Sequence, residues 1–155
     1  MLKIKIVSLG RNKADWIRTG CEQYLKLLSP YAQVTLDLVP APRLSSSLSV
    51  AQIRAAEGKL LRPRLEGHTI ALHAPARLYT SEEFAGLLER VQTSSGGKVT
   101  MLIGGAYGLE RELLNEVDRR LSLSKLTFPH ELTRVILLEQ LYRAYSILKN
   151  TQYHK

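Results

Sequence analysis

The chain has 155 residues, 45% of them hydrophobic and 23% charged, which is ordinary for a soluble globular protein. No apolar run approaches the ~18 residues of a membrane-spanning helix, and a single cysteine, Cys21, excludes an internal disulfide and fits a reducing cytoplasm. The net charge of +8 is lopsided: residues 1–64 hold eleven Lys/Arg against four Asp/Glu, and residues 65–155 hold eleven against ten.

At this length one domain over residues 1–155 is expected. Met1 to Val7 alternates as a strand does and lacks the continuous apolar core of a signal peptide, so the first strand is read from Lys3 to Leu9. A helix follows from about Ala14 to Leu28, its apolar positions Trp16, Ile17, Tyr24, Leu27 and Leu28 recurring near the helical period, with Pro30 ending it. Gln33 to Val39 is a second strand, and the Pro40, Pro42 and Ser45 to Ser47 stretch is a loop. Ser49-x-x-Gln52 reads as a capping box for a helix that Pro63 stops. His68 to His73 is a third strand. Thr80-x-x-Glu83 is a second capping box, opening a helix from about Ser81 to Thr93. Gly96-Gly97 turns the chain into a strand at Val99 to Ile103; a short helix near Glu110 to Val117 and a short strand at Arg120 to Leu123 follow. The last helix spans about Glu131 to Asn150. Strands alternating with helices predict an α/β layer structure on a mainly parallel sheet.

The last helix is apolar in most directions, with Val135, Ile136, Leu137, Leu138, Leu141, Tyr142, Ala144, Tyr145, Ile147 and Leu148. Such a helix is covered on more than one side. The second cover is a symmetry-related copy in a homodimer, or other parts of a monomer in which the helix is central.

Gly104-Gly105-x-x-Gly108 sits at the end of the fourth predicted strand. Ligands of open α/β sheets lie beyond the carboxyl ends of strands, and glycines there permit positive φ or close backbone approach; a plain tight turn reads equally well. Tyr153-His154-Lys155 is either a frayed end or a group that moves protons. Glu139 and Arg143, four apart, form a helix-surface ion pair of ~0.3–0.5 kcal/mol or hold a substrate; Arg134 and His130 at the helix start are candidates for the same site. His68 and His73 lack partners at metal-ligand spacing, so no metal site is expected, and Cys21 reads as a packed small hydrophobe. The basic first half is suited to a polyanion, nucleic acid foremost, and equally describes a basic enzyme without one.

Ile103-Gly104-Gly105-x-x-Gly108-Leu109, Leu121 to His130, Arg134-Val135, Glu139 to Ala144 and Tyr153-His154-Lys155 together resemble the RlmH-type SPOUT methyltransferases. Leu2 to Gly10, Trp16, Tyr24 and Glu57-Gly58 extend the resemblance over the whole chain. It implies a homodimer of an α/β domain with a C-terminal trefoil knot, residues 100–155 carrying the cofactor and catalytic motifs. It implies S-adenosylmethionine-dependent methylation of N3 of a pseudouridine in 23S ribosomal RNA, on the assembled ribosome in the cytoplasm, with no membrane and no metal involved. By position, Leu72, Gly104, Leu123, Ser124, Lys125, Leu126, Thr127 and Phe128 hold the cofactor, and Tyr153, His154 and Arg143 serve the transfer. The run Leu72-His73-Ala74-Pro75-Ala76-Arg77 departs from the Leu-Asp-x-x-Gly-Lys of the family, and Gln152 stands where proline is usual. Two other readings stay open. One is a non-catalytic RNA binder on the same scaffold; the other is a nucleotide-dependent oxidoreductase, against which the absence of a ribose-gripping acid counts.

Overall fold

The computed structural model describes all residues 1–155. It contains β1 (Leu2–Leu9), α1 (Asp15–Leu28), β2 (Ala32–Val39), α2 (Val50–Leu61), β3 (His68–Leu72), α3 (Ser81–Ser94), β4 (Lys98–Ile103), α4 (Arg111–Glu116), β5 (Arg119–Leu121) and α5 (His130–Leu148). The five strands form one sheet in the order β2-β1-β4-β3-β5, and every pairing is parallel. The α/β reading therefore holds, with element ends shifted by a few residues.

Two apolar layers flank the sheet, because a parallel sheet must be covered on both faces. On one face Ile4, Ile6, Ile70 and Met101 pack against Ile17, Cys21, Leu87, Leu137 and Leu141 from α1, α3 and α5. On the other, Val7, Leu9, Ala71 and Leu102 pack against Leu61 of α2 and Leu113 and Leu114 of α4. α5 lies between α1 and α3, so its apolar flanks find cover within the chain. Helix neighbours on both sides account for much of its unusual composition without a second copy.

Several local expectations change. Trp16 and Leu27, read as inward positions of α1, are exposed (64% and 38%), and Ile17, Cys21 and Leu28 are the buried ones. Ser49 and Gln52 complete their capping box, with both reciprocal bonds present. At α3 only half of the box forms. Thr80 Oγ1 accepts from Glu83 N at 3.0 Å, while the Glu83 carboxylate accepts from Arg77 Nη2 at 2.9 Å. A charged partner is a stronger draw for a carboxylate than a backbone amide. α2 stops at Leu61, just before Pro63 as expected, and Arg62–Arg64 add a 3₁₀ turn after it. The first turn of a helix tolerates proline, since its N–H has no helical partner there.

α5 ends at Leu148, and Asn150, two residues on, takes a left-handed φ of 54°. Thr151 N then donates to Ser146 O at 2.9 Å, and the tail turns back along the helix. Asparagine is among the few residues that adopt this conformation at a helix end at low cost. The tail is therefore docked, not frayed.

Candidate active site

The carboxyl ends of β3, β4 and β5 open into a cavity of about 660 Å³, within the usual range for small-molecule sites. Leu72, His73 and Ala74 line it from the end of β3. Ile103, Gly104, Gly105, Ala106 and Gly108 line it from the end of β4. Ser122 to Ser124, Leu126 to His130 and Thr133 complete the wall after β5. The site is thus assembled from three loops far apart in sequence, brought together by the order β4-β3-β5.

The wall after β4 needs its glycines for its own packing. A Cβ added at Gly104 would lie 2.9 Å from Gly108 C and 3.0 Å from Leu109 Cγ. One at Gly105 would lie 2.7 Å from Glu57 Oε2. Gly108 has φ +82° and donates its N–H to Gly105 O at 3.0 Å, closing the turn. Arg54 Nε, on α2, donates to Tyr107 O at 2.6 Å and pins the turn from outside. The wall after β5 is held by its serines: Ser122 Oγ donates to Ser124 O, and Leu126 N donates to Ser124 Oγ, both at 3.0 Å. Short serine-backbone bonds of this kind replace regular secondary structure in such a loop.

Of the eight residues expected to hold a cofactor, seven line this cavity: Leu72, Gly104, Leu123, Ser124, Leu126, Thr127 and Phe128. Lys125 does not; it lies exposed between two lining residues. His73, in the run that departs from the family pattern, is a lining residue, and so is His130. Burial, helped by Arg120 and Arg54, lowers the His73 pKa below the usual imidazole value. Burial, then Arg134, does the same to His130. In both rings burial opposes the charged form.

Arg134 is not part of the site. It is fully buried and donates to Ser8 Oγ (2.9 Å), Asn12 Oδ1 (2.6 Å), Leu9 O (2.5 Å) and Gly10 O (2.9 Å). It fastens the end of β1 to α5. Four well-placed acceptors are what a buried guanidinium requires.

Tyr153, His154 and Arg143 do come together, at the far end of α5. Glu139 Oε1 accepts from Arg143 Nη2 (2.7 Å), Arg143 Nε (3.0 Å) and Tyr153 OH (2.9 Å). Tyr153 also packs edge-on against Tyr142 with ring centroids 4.7 Å apart, and the Arg143 guanidinium lies 4.8 Å over the Tyr153 ring. Burial, with hydrogen bonds to Tyr24 and Glu139, raises the Tyr153 pKa well above the usual phenol value, so this hydroxyl is a donor and not a base.

His154 lies between Arg143 Nη1, 3.1 Å from Nδ1, and Glu82 Oε1, 2.8 Å from Nε2. Arginine has no acceptor, so Nδ1 must accept and Nε2 must carry the proton toward Glu82. The proton-accepting nitrogen of the ring is therefore Nδ1. Sequence reading missed Glu82, because nothing in local spacing links residue 82 to residue 154. None of the three tail-cluster residues lines the large cavity. A smaller cavity of about 190 Å³, lined by Ser122, Leu123, Phe128 and Gln140 among others, lies between the two. Gln140 carries the connection, accepting from Ser81 Oγ and donating to Glu139 Oε2, each at 2.7 Å.

The chain gathers no cluster of three metal-ligating side chains, and no helix is long and apolar enough to cross a membrane.

The ribosomal RNA large subunit methyltransferase H of Moorella thermoacetica is 41% identical to this chain over 162 residues, covering 100% of both chains. That of Listeria monocytogenes serotype 4b (strain CLIP80459) is 38% identical over 159 residues, covering 99% of this chain and 100% of its own. A probable methylase family protein from Haemophilus influenzae Rd KW20 shares the fold, with a TM-score of 0.56 at 18% identity, over 95% of this chain and 66% of that one. The family model for predicted SPOUT methyltransferases matches residues 2–154. With that match running from β1 through the docked tail, and with relatives this similar end to end, the chain belongs to the SPOUT methyltransferase family.

Proposed function

We propose that residues 1–155 act as one methyltransferase unit that transfers a methyl group from S-adenosylmethionine to N3 of a pseudouridine in 23S ribosomal RNA, on the assembled ribosome in the cytoplasm. The single observation that carries this reading is the cavity at the carboxyl ends of β3, β4 and β5. Seven of the eight residues expected for the donor line it, in a chain end-to-end similar to proteins named for methylating large-subunit ribosomal RNA.

The cavity suits such a donor. Leu72, Ile103, Leu123, Leu126 and Phe128 offer apolar surface for a purine, and the glycine and serine loops supply backbone polar groups. When bound, S-adenosylmethionine supplies a methyl group on a sulfonium, a good leaving group. The chain's part is alignment, holding the nucleophile and methyl carbon ~3–3.5 Å apart. In such a transfer an N3–C bond would replace the S–C bond of the donor, and His154 Nδ1 would take the N3 proton. Substrate takes the place of Arg143 at that nitrogen. Glu82 holds the opposite ring proton, fixing the tautomer that leaves Nδ1 free to accept. Tyr153 orients the tail through Glu139, and Arg143 stabilises charge developing on the carbonyls that flank N3.

The tail cluster lies outside the lining of its own protomer's cavity, which favours an active site shared between two copies. In this reading a homodimer brings Tyr153 and His154 of one protomer to the donor cavity of its partner. Exposed Trp16 of α1 and the 38% exposed Tyr153 supply apolar surface for that contact. The C-terminal segment carrying the donor loop is threaded as the trefoil knot of the family. For RNA, Lys3, Arg11, Lys13, Lys26, Arg43 and Lys59 of the basic first half take part in none of the ion pairs of the chain and are suited to phosphates, giving affinity without sequence reading.

The test is methylation of ribosomes from cells lacking this protein, followed by mass spectrometry of the 23S RNA. One pseudouridine gaining one methyl group, only with S-adenosylmethionine, is the expected result. Donor binding without any methylated RNA would favour the non-catalytic RNA-binding reading. Sedimentation of the pure protein tests the dimer, a monomer at micromolar concentration being the adverse outcome.

A further inference from the structure

The seventeen residues that line the large cavity include no acidic side chain. Burial lowers the pKa of both its histidines, His73 and His130. Yet the donor assigned to this cavity carries a positive sulfonium. A carboxylate does abut the wall from behind, and it belongs to Glu57 in the middle of α2.

Glu57 lies against the glycine turn. A Cβ at Gly105 would sit 2.7 Å from its Oε2 and 3.1 Å from its Oε1. Any side chain at 105 would displace the carboxylate, so glycine there is what lets the charge approach the cavity wall. Its Oε1 is buried without a hydrogen-bond partner. The neighbouring charges are engaged elsewhere. Arg54 donates to Tyr107 O, and Glu110, which backs Gly58, accepts from Arg62 at 2.6 Å. Burial alone raises the Glu57 pKa above the usual carboxylate value. A carboxylate kept in such a place is costly to the fold, and groups of this kind gather where charge is used.

We propose that Glu57, acting through the thin peptide wall at Gly105, is the specificity-determining charge of this site, favouring a donor with a positive sulfonium over its neutral thioether product. This rests on the reading of the cavity as the donor site. Methyl transfer turns the sulfonium into a thioether, and the positive charge leaves as the N3 proton. The carboxylate that favours the donor therefore gives nothing to the product, which makes exchange of product for donor favourable at the same cavity.

The test is calorimetric titration of the full chain with S-adenosylmethionine and, separately, with S-adenosylhomocysteine. Glu57→Gln keeps the shape and removes the charge. It should weaken donor binding about ten-fold and leave product binding unchanged within error. Glu57→Asp, which keeps the charge, should preserve the wild-type preference for the donor. A second readout needs no substitution: the ¹³C-labelled Glu57 side-chain carboxyl of the wild-type chain should titrate at lower pH with donor bound than with product bound. Equal weakening of both ligands by Glu57→Gln, or an unchanged ratio, would reduce Glu57 to wall packing and overturn the proposal, as would a carboxyl titration identical in the two complexes. If the wild-type chain binds neither ligand, the donor assignment fails and the role of Glu57 falls with it.

Discussion

The two ends of α5 each carry an arginine, nine residues apart, and the fold uses them in opposite ways. Arg134 is sealed in the interior with four oxygen acceptors, all from the end of β1 and the loop after it. Arg143 is half-buried at the other end, tied to one carboxylate and to a terminal imidazole. Both looked alike as candidates for substrate contact. A guanidinium whose acceptors come from the core cannot leave without exposing them, so it is structural. One whose partners are a helix neighbour and the chain's last residues can exchange a partner for substrate. The difference lies in what each arginine would leave behind.

The largest expected effect bears on the sealed end. Arg134→Met leaves Ser8, Asn12 and the carbonyls of Leu9 and Gly10 without their donor. The expected loss is about 3–5 kcal/mol of stability, read from urea unfolding at pH 7. A midpoint unchanged from wild type would dissolve the contrast between the two arginines. At the open end, His154→Ala should slow single-turnover methylation about 100-fold, leaving the unfolding midpoint and donor affinity close to wild type. Wild-type chemistry in that variant would remove the tail from the mechanism.

The smallest effect concerns His130, the first residue of α5. Its folded pKa lies below the ordinary 6.5 because of burial, then Arg134. The unfolded chain thus takes up the proton first. Its contribution to stability is whole above about pH 6.5 and is lost as pH falls through the folded value. His130→Gln should remove that part of the slope in unfolding experiments between pH 5 and 7. An unaltered slope would mean that the sealed end of the helix is not felt at His130.

Much of the fold was legible in residue order. Periodicity, capping boxes and turn residues together located all five strands and all five helices, and the serine capping box at Ser49 formed as read. Where reading failed, a non-local partner had intervened. Arg77 drew Glu83 out of its capping box, and the bundle of α1, α3 and α5 left Trp16 exposed. The loops expected to hold a donor were named by resemblance; the cavity lining leaves out Lys125 and includes His73 and His130. Glu82 and Glu57 show the limit most clearly, since each meets a residue dozens of positions away in the chain, His154 and Gly105.

The linear chain by itself settled composition, element type and the family, because these depend on side-chain periodicity, local turn chemistry and spaced motifs that survive without coordinates. Tertiary structure alone decided that the ends of β3, β4 and β5 share one cavity, that Arg134 is a clamp, and that the last residues fold back onto α5. Parallel strands are neighbours only through long crossovers, so what meets at their ends depends on the sheet order, which no local pattern encodes.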